Sequence, residues 1–516
     1  MSHAVRSSHA VGRAEPASAA GALRRELGAW AWLAVAALAV AGVFALLLAL
    51  SRIPGMEEAP FWPLGFFYKG LVIHVVFSLV IWLLGVFAFL VTVATLDVVG
   101  EGPGTDGLRG APLGRIGQGI VLVSFPCLFA PAFLNATQPE LANYIPLIRH
   151  PAYDLGLVLL AIGILAPVAR LLINLPGRAM NWPPLTFAMA IGGFVYLLAL
   201  LAFAIAAILL AREGIFMASH ELLFWGGGHL LSFVYALVLL TNWMILARRV
   251  FAEDAIAGGR FRIAAALAGA LALPAPFFYL AFAPFSEGQH EAFRLLQFGL
   301  AAPTLMFAVA LIARARSLVG AVADRATAHE QSAAADTPRS PSTAADTPRS
   351  GAPRSTSAAT GARWPRRDPA FFALAASLAL FALGGVLGFL VGGYDTRIPA
   401  HYHAVVTAVS VSSAGMLLTF GLERLGRAPA PARAVRALIA LYAGGQLVAS
   451  IAMFVAGGYG AARKTPTGAG SLDPIAAAGM AMHGIASIFT VLGGAAFVVV
   501  AIRALSRPPA ARPGVP

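Results

Sequence analysis

The chain has a single cysteine in 516 residues, Cys127, and it lies in an apolar run. A disulfide framework and a thiolate metal cage are both excluded. Charge is scarce too: Asp, Glu, Lys and Arg make up 11% of the chain, against about 25% in a soluble domain, while 59% is hydrophobic. The first ~28 residues are polar and Ala-rich. They lack a small-residue cleavage pattern close behind a short apolar core, so the first apolar run reads as a retained anchor rather than a signal peptide. Such a composition belongs to a polytopic membrane protein.

What the chain does have is apolar runs of about 18 residues or more, which read as transmembrane helices. They fall at 30–50, 66–96, 116–134, 153–175, 185–211, 219–247, 262–284, 293–313, 370–391, 400–422, 433–457 and 474–503. The expected fold is therefore all-α, about twelve transmembrane helices in one bundle. Orientation follows from Arg and Lys. With both termini in the cytoplasm, the inner loops hold pairs such as Arg24-Arg25, Arg248-Arg249, Arg314/Arg316 and Arg433/Arg436. Of the 36 basic residues only Arg52, Lys69, Arg149, Arg212, Arg294, Arg397, Arg463 and Lys464 fall outside. This bias accounts for the net charge of +13 without a nucleic-acid partner. Residues 318–368 break the pattern. They are rich in Ala, Ser, Thr, Pro and Arg, repeat Ala-Ala-Asp-Thr-Pro-Arg-Ser at 334–340 and 344–350, and read as a disordered linker between spans 29–317 and 369–505. The ends, 1–28 and 506–516, read as cytoplasmic tails.

Ionisable side chains inside spans are costly and usually kept for function. Of the 11 histidines, His3, His9 and His329 lie in the polar segments and His150 in an outer loop. His401 and His403 open the tenth span, two residues apart, so on a helix their imidazoles point about 200° away from each other. His74 lies about eight residues into the second span from the outside, or ~12 Å. His229, in Leu222-Leu223-Phe224-Trp225-Gly226-Gly227-Gly228-His229, lies about ten residues into the sixth, again from the outside. Spans two, six and ten thus each place histidine in the outer third of the membrane. Haem suits that layer: two facing imidazoles clamp a low-spin iron, and one axial imidazole leaves an open face for a small molecule. Gly226, Gly227 and Gly228 would let a flat macrocycle or another helix come close. For any one of these histidines, a hydrogen bond to a neighbouring helix is the plain alternative. His220, beside Glu221, reads as an interfacial hydrogen bond, His290 as a loop residue, and His483 in span twelve as packing.

With these residues in place, the chain resembles subunit I of the haem–copper oxidases, the superfamily that includes cytochrome c oxidases and nitric oxide reductases. His401-Tyr402-His403 is similar to the family's His-Phe-His pair in span ten. The run ending Trp225-Gly226-Gly227-Gly228-His229 is similar to its span-six segment, and His74 takes the place of its span-two haem ligand. Gly460-Ala461-Ala462-Arg463-Lys464-Thr465-Pro466 resembles the Gly-x-Pro-Arg-Arg segment before span twelve. The resemblance implies two haems: a low-spin one on His74 and His403, and a high-spin one on His401 that acts on oxygen or nitric oxide. It implies His229 as one ligand of a second metal, copper or non-haem iron, and Arg463 and Lys464 as partners of haem propionates. It further implies the inner membrane of a bacterium, other respiratory subunits, and electrons from an outer-side cytochrome or cupredoxin. No c-type haem motif is present, which fits a separate donor.

The departures lie on one side of the site. The family's second metal takes two adjacent histidines from span seven, where this chain has Pro274-Ala275-Pro276-Phe277-Phe278-Tyr279. One imidazole does not hold copper or iron firmly. Phe233 stands where oxidases have tyrosine, with Tyr235 pointing elsewhere. Leu231 stands for an acid, span eight has no lysine, and Asp97 is the clearest inner proton carrier. These features count against proton-pumping oxygen reduction. They leave open a non-catalytic haem protein: an electron conduit, gas sensor or accessory subunit. A transporter would show inverted repeats with polar groups near the midplane, and none is seen.

Overall fold

The computed structural model describes residues 19–508 apart from 54, 60–61, 101–107, 215–219, 252–257, 336–364 and 465–471. Among them are 12 helices long and apolar enough to cross a membrane: Gly21–Leu50, Leu64–Val99, Leu113–Phe133, Pro151–Asn174, Pro184–Arg212, His220–Phe251, Gly258–Ala281, Glu287–Leu318, Pro369–Phe389, Arg397–Arg424, Ala432–Gly458 and Pro474–Ser506. Helix is the expected answer in lipid, because each segment must satisfy its own backbone hydrogen bonds. Proline opens several helices at the first position, where no amide donor is needed, as at Pro151, Pro184, Pro369 and Pro474. Asp368 caps the ninth span, its carboxylate accepting from the amides of Ala370 (2.7 Å) and Phe371 (3.1 Å).

The spans are not equivalent. The apolar stretches of spans two, six and ten are 83%, 89% and 83% buried, while the other nine lie between 22% and 50%. The three that carry His74, His229 and His401/His403 are therefore the centre of the bundle, and the rest form its lipid-facing ring. Polar stitches lock that centre. The Trp243 indole donates to Ser377 Oγ (2.8 Å), which donates to the Ala408 carbonyl (2.7 Å), joining spans six, nine and ten. Asn242 adds a bond to Ser413 Oγ (2.9 Å). Nearer the start of span one, buried Arg170 donates to both carboxylate oxygens of Glu26 (2.5 and 2.6 Å). Gln118 donates to the Glu26 carbonyl (2.6 Å). Removing either half of such a pair would cost about 3–5 kcal/mol.

Two expected boundaries move. Span eight begins at Glu287, because Ser286 caps the helix with its hydroxyl accepting from the Gln289 amide (3.3 Å), so His290 is helical rather than in a loop. Its helix then runs on to Ala335, well past residue 317. The Ala-rich sequence favours helix, and no proline intervenes before Pro338. The rest of the expected linker up to 364, with most of its repeat, lies outside the described residues, as do His3, His9, Thr465 and Pro466. Between spans three and four, Pro139–Glu140 pairs antiparallel with Leu147–Ile148. This small hairpin lies over the start of span six and supplies its cap.

Candidate functional site

His74 sits two residues before a π-helical turn, Val76–Ile81, that interrupts span two. Such turns are frequent at functional sites. Its Nδ1 lies 3.1 Å from the Ala41 carbonyl of span one, while Ser78 Oγ donates to its own carbonyl (2.6 Å). Donation from Nδ1–H fixes the tautomer that leaves Nε2 with its lone pair, the arrangement common to metal-bound histidines. His401 repeats the arrangement: its Nδ1 lies 2.7 Å from the Gly384 carbonyl of span nine. A Cβ at Gly388 would come within 2.6 Å of that nitrogen, so glycine makes room for the ring. His403 differs. Neither of its ring nitrogens has a hydrogen-bond partner among the described residues; its nearest ring is Tyr402, 5.1 Å away. It lies within electrostatic reach of His74 and of Arg52. His401 thus turns toward span nine, while His403 feels the charges of Arg52 and His74. His483 of span twelve belongs to the same neighbourhood. Its Nδ1 is 3.2 Å from the Ala449 carbonyl, and it interacts electrostatically with both Arg52 and His403.

These side chains fit a macrocycle better than a bare ion. No group of three or more His, Cys, Asp or Glu among the described residues is close enough to hold a metal ion. His74, with Nε2 left open, and His403, with no hydrogen-bond partner among the described residues, lie within electrostatic reach of each other; two imidazoles are the donor set a low-spin haem takes, and His401 offers a single Nε2.

His229 has a different environment. Its Nδ1 is 2.6 Å from the Trp225 carbonyl and its Nε2 is 2.8 Å from the Tyr144 hydroxyl, so both nitrogens are engaged. Tyr144 comes from the hairpin loop, 85 positions earlier, and its ring centroid lies 4.6 Å from the imidazole. Burial, then the charge of Glu221, raises the pKa of its hydroxyl and keeps it a neutral donor. Trp225 and Phe293 close the other sides at 5.0 and 5.8 Å. The glycine triplet serves this packing. A Cβ at Gly226 would strike Tyr279 Oη at 2.3 Å, one at Gly227 would strike Phe203 at 2.2 Å, and one at Gly228 would strike Tyr144 at 2.4 Å. Aromatic side chains, rather than a macrocycle or a helix backbone, fill the space the glycines leave. His290 touches Trp225, ring to ring at 5.1 Å, but its Nδ1 faces the Ser286 carbonyl (3.0 Å). The residues present do not fit a second metal.

Charged side chains beside the hairpin brace the His229 region. Arg463 bonds the Asn143 side-chain oxygen, and Lys464 bonds the Leu141 carbonyl and Asn143. Asn143 in turn donates twice to Glu221 (2.6 Å each). Burial, then the neighbouring Arg463, pushes the Lys464 ammonium down to about 8 against the pull of Glu221. The Asp395 carboxylate, held by Arg397 at 2.7 Å, lies below its ordinary pKa because of that bond. His220 pairs with Glu140 (2.9 Å), the interfacial hydrogen bond its sequence position suggests. His150 caps span four. Asp97 is paired with Arg424 (3.0 Å) at the end of span two away from His74. Sequence reading missed Tyr144 and Arg52. Neither lies in a periodic motif, and Arg52 counted only as an outer charge.

Known proteins agree with this architecture. The family model for cytochrome C and quinol oxidase polypeptide I matches residues 27–494. A solved heme-copper terminal oxidase, determined as a dimer by cryo-EM, superposes with a TM-score of 0.70 at 17% identity, over 95% of this chain and 85% of that one; this likeness is one of fold. Two relatives carry only the name "uncharacterized protein". One, from Aquifex aeolicus, is 24% identical over 77% of this chain and 84% of its own length. The other, from Rickettsia prowazekii, is 26% identical over 44% of this chain and 47% of its own.

Proposed function

The chain belongs to the cytochrome C and quinol oxidase polypeptide I family, and from that membership we propose that it is a haem-binding oxidoreductase subunit of the inner membrane of a bacterium, with both termini in the cytoplasm. His74 and His403 hold a low-spin haem. His401 holds a second, high-spin haem that acts on oxygen or nitric oxide. Bound haem supplies one-electron transfer. The observation that carries this reading is the state of the ring nitrogens: His74 and His401 each bond a backbone carbonyl through Nδ1, leaving Nε2 for iron, and His403 has no hydrogen-bond partner among the described residues. The Ala41 and Gly384 carbonyls fix tautomer and ring orientation, and the buried helices exclude water. Electrons come from a separate outer-side cytochrome or cupredoxin, and other respiratory subunits complete the assembly. Arg463 and Lys464, on the outer side, add positive charge for propionates.

The closed environment of His229 favours a second reading, in which the chain kept the haems and lost the metal chemistry and serves as an electron conduit, gas sensor or accessory subunit. Optical spectra of purified protein test both. A reduced-minus-oxidised spectrum shows a low-spin haem, and carbon monoxide perturbs a second haem that His401→Ala removes. A protein without haem overturns both readings. Stoichiometric copper or non-haem iron would rule out the second.

A further inference from the structure

An imidazole that ligates a metal is normally steadied through its other ring nitrogen, whose N–H donates to a carbonyl, a carboxylate or water. Ala41 does this for His74, and Gly384 does it for His401. His403 has no such acceptor among the described residues. It feels the charges of Arg52 and His74. Neither can accept from it. The buried Arg52 guanidinium only donates, and His74 has Nδ1 on Ala41 and Nε2 kept for iron.

A third imidazole stands in the same place. His483 of span twelve is 4% exposed and feels the charges of both His403 and Arg52. Its Nδ1 lies 3.2 Å from the Ala449 carbonyl of span eleven. With the proton on Nδ1, Nε2 carries a lone pair on the side of the ring away from Ala449, and no described residue donates to it. Buried polar groups normally have partners. The position is fixed by close backbone packing on two sides. A Cβ at Gly484 would come within 2.7 Å of Ile53 Cγ1 and 3.0 Å of the Ala49 carbonyl, where span one ends. One at Gly479 would come within 2.9 Å of the Ala452 carbonyl of span eleven.

We infer that His483 is a positioning residue of the low-spin haem site: its Nε2 accepts the Nδ1–H of His403, completing a chain from His403 through His483 to the Ala449 carbonyl. The inference rests on the haem reading above, in which His403 binds iron through Nε2. Two open groups then satisfy each other, one lacking an acceptor and the other a donor. The bond fixes the tautomer and ring plane of His403. It also makes that ligand more basic, which favours ferric over ferrous iron.

The test uses full-length protein in nanodiscs, comparing wild type with His483→Leu, His483→Gln and Tyr402→Phe by low-temperature electron paramagnetic resonance and spectroelectrochemical titration. His483→Leu removes the acceptor. It should keep the low-spin haem, raise its midpoint potential and shift the largest g value of the ferric signal. His483→Gln keeps an amide oxygen, a weaker acceptor, and should fall between His483→Leu and wild type on both readouts. Tyr402→Phe removes the hydroxyl of the side chain whose ring lies 5.1 Å from His403 and should match wild type. A wild-type potential and g value in His483→Leu overturn the assignment and leave the haem reading intact, as does a shift confined to Tyr402→Phe. If His483→Leu alone loses the haem, His483→Gln decides: a potential above wild type supports the assignment, and one equal to or below it overturns it. Loss of the low-spin signal in both His483 variants overturns it as well, because an acceptor behind the ligand is not itself needed to bind iron. Absence of a low-spin haem in the wild type overturns the haem reading itself.

Discussion

His403 and His229 both lie within about three turns of the start of their helices, and both helices run through the buried centre of the bundle. Around His403 the polar atoms are left open: among the described residues neither ring nitrogen is bonded, no carboxylate pairs with Arg52, and His74 keeps Nε2 free of its Nδ1 bond. Around His229 every ring nitrogen is satisfied, and aromatic rings from the loop after span three and from spans five, seven and eight fill the space beside three glycines. Buried polar groups normally have partners. Open groups at one place and complete pairing at another, in one molecule, teach that the first region is shaped for something the chain does not itself supply. The second has become self-sufficient.

The contrast can be broken most severely at the open side. His74→Ala should abolish the low-spin haem spectrum while leaving the carbon-monoxide-binding haem; survival of the low-spin band would mean that another side chain faces His403. At the closed side, Gly228→Ala drives a methyl group into Tyr144 and should destabilise the protein by roughly 1–3 kcal/mol, as overpacking does. Unchanged thermal stability there would show that the aromatic packing is loose.

A milder change is Tyr144→Phe, which keeps the ring and removes the hydroxyl that reaches His229. A loss of about 1 kcal/mol is expected for one hydrogen bond, with both haem spectra unaltered. A new stoichiometric metal in this variant would show that the site is blocked rather than lost. The smallest expected effect concerns Lys464. Its folded pKa of about 8 lies below the ordinary 10.5, so between these values the unfolded chain holds the extra proton. Stability contributed by this group therefore rises with pH across that window and is lowest below pH 8. Lys464→Met should flatten the rise in unfolding temperature, and an unchanged slope would assign it to other groups.

The spans were legible because twelve long apolar runs admit one structural answer in lipid. The placing of His74, His229, His401 and His403 on the three most buried spans was not legible, since burial of a whole span depends on its neighbours. Nor was the closure over His229. Tyr144 arrives from a two-strand hairpin whose fold depends on tertiary contacts with Glu221, Arg463 and Lys464, and no periodicity announces it. The glycine triplet signalled close approach but not what approaches. The extension of span eight's helix to Ala335 was hidden by a composition that reads equally as helix or linker. Arg52 needed the structure, because only packing tells a buried guanidinium from a solvated one.

The central claim is that spans two and ten hold one bis-imidazole haem. Low-temperature electron paramagnetic resonance of the oxidised protein, spin-counted against protein concentration, tests it most directly. The account predicts one low-spin bis-imidazole ferric signal per chain in the wild type and none in His403→Ala. A wild type without that signal, or a His403→Ala protein that retains it, contradicts the account.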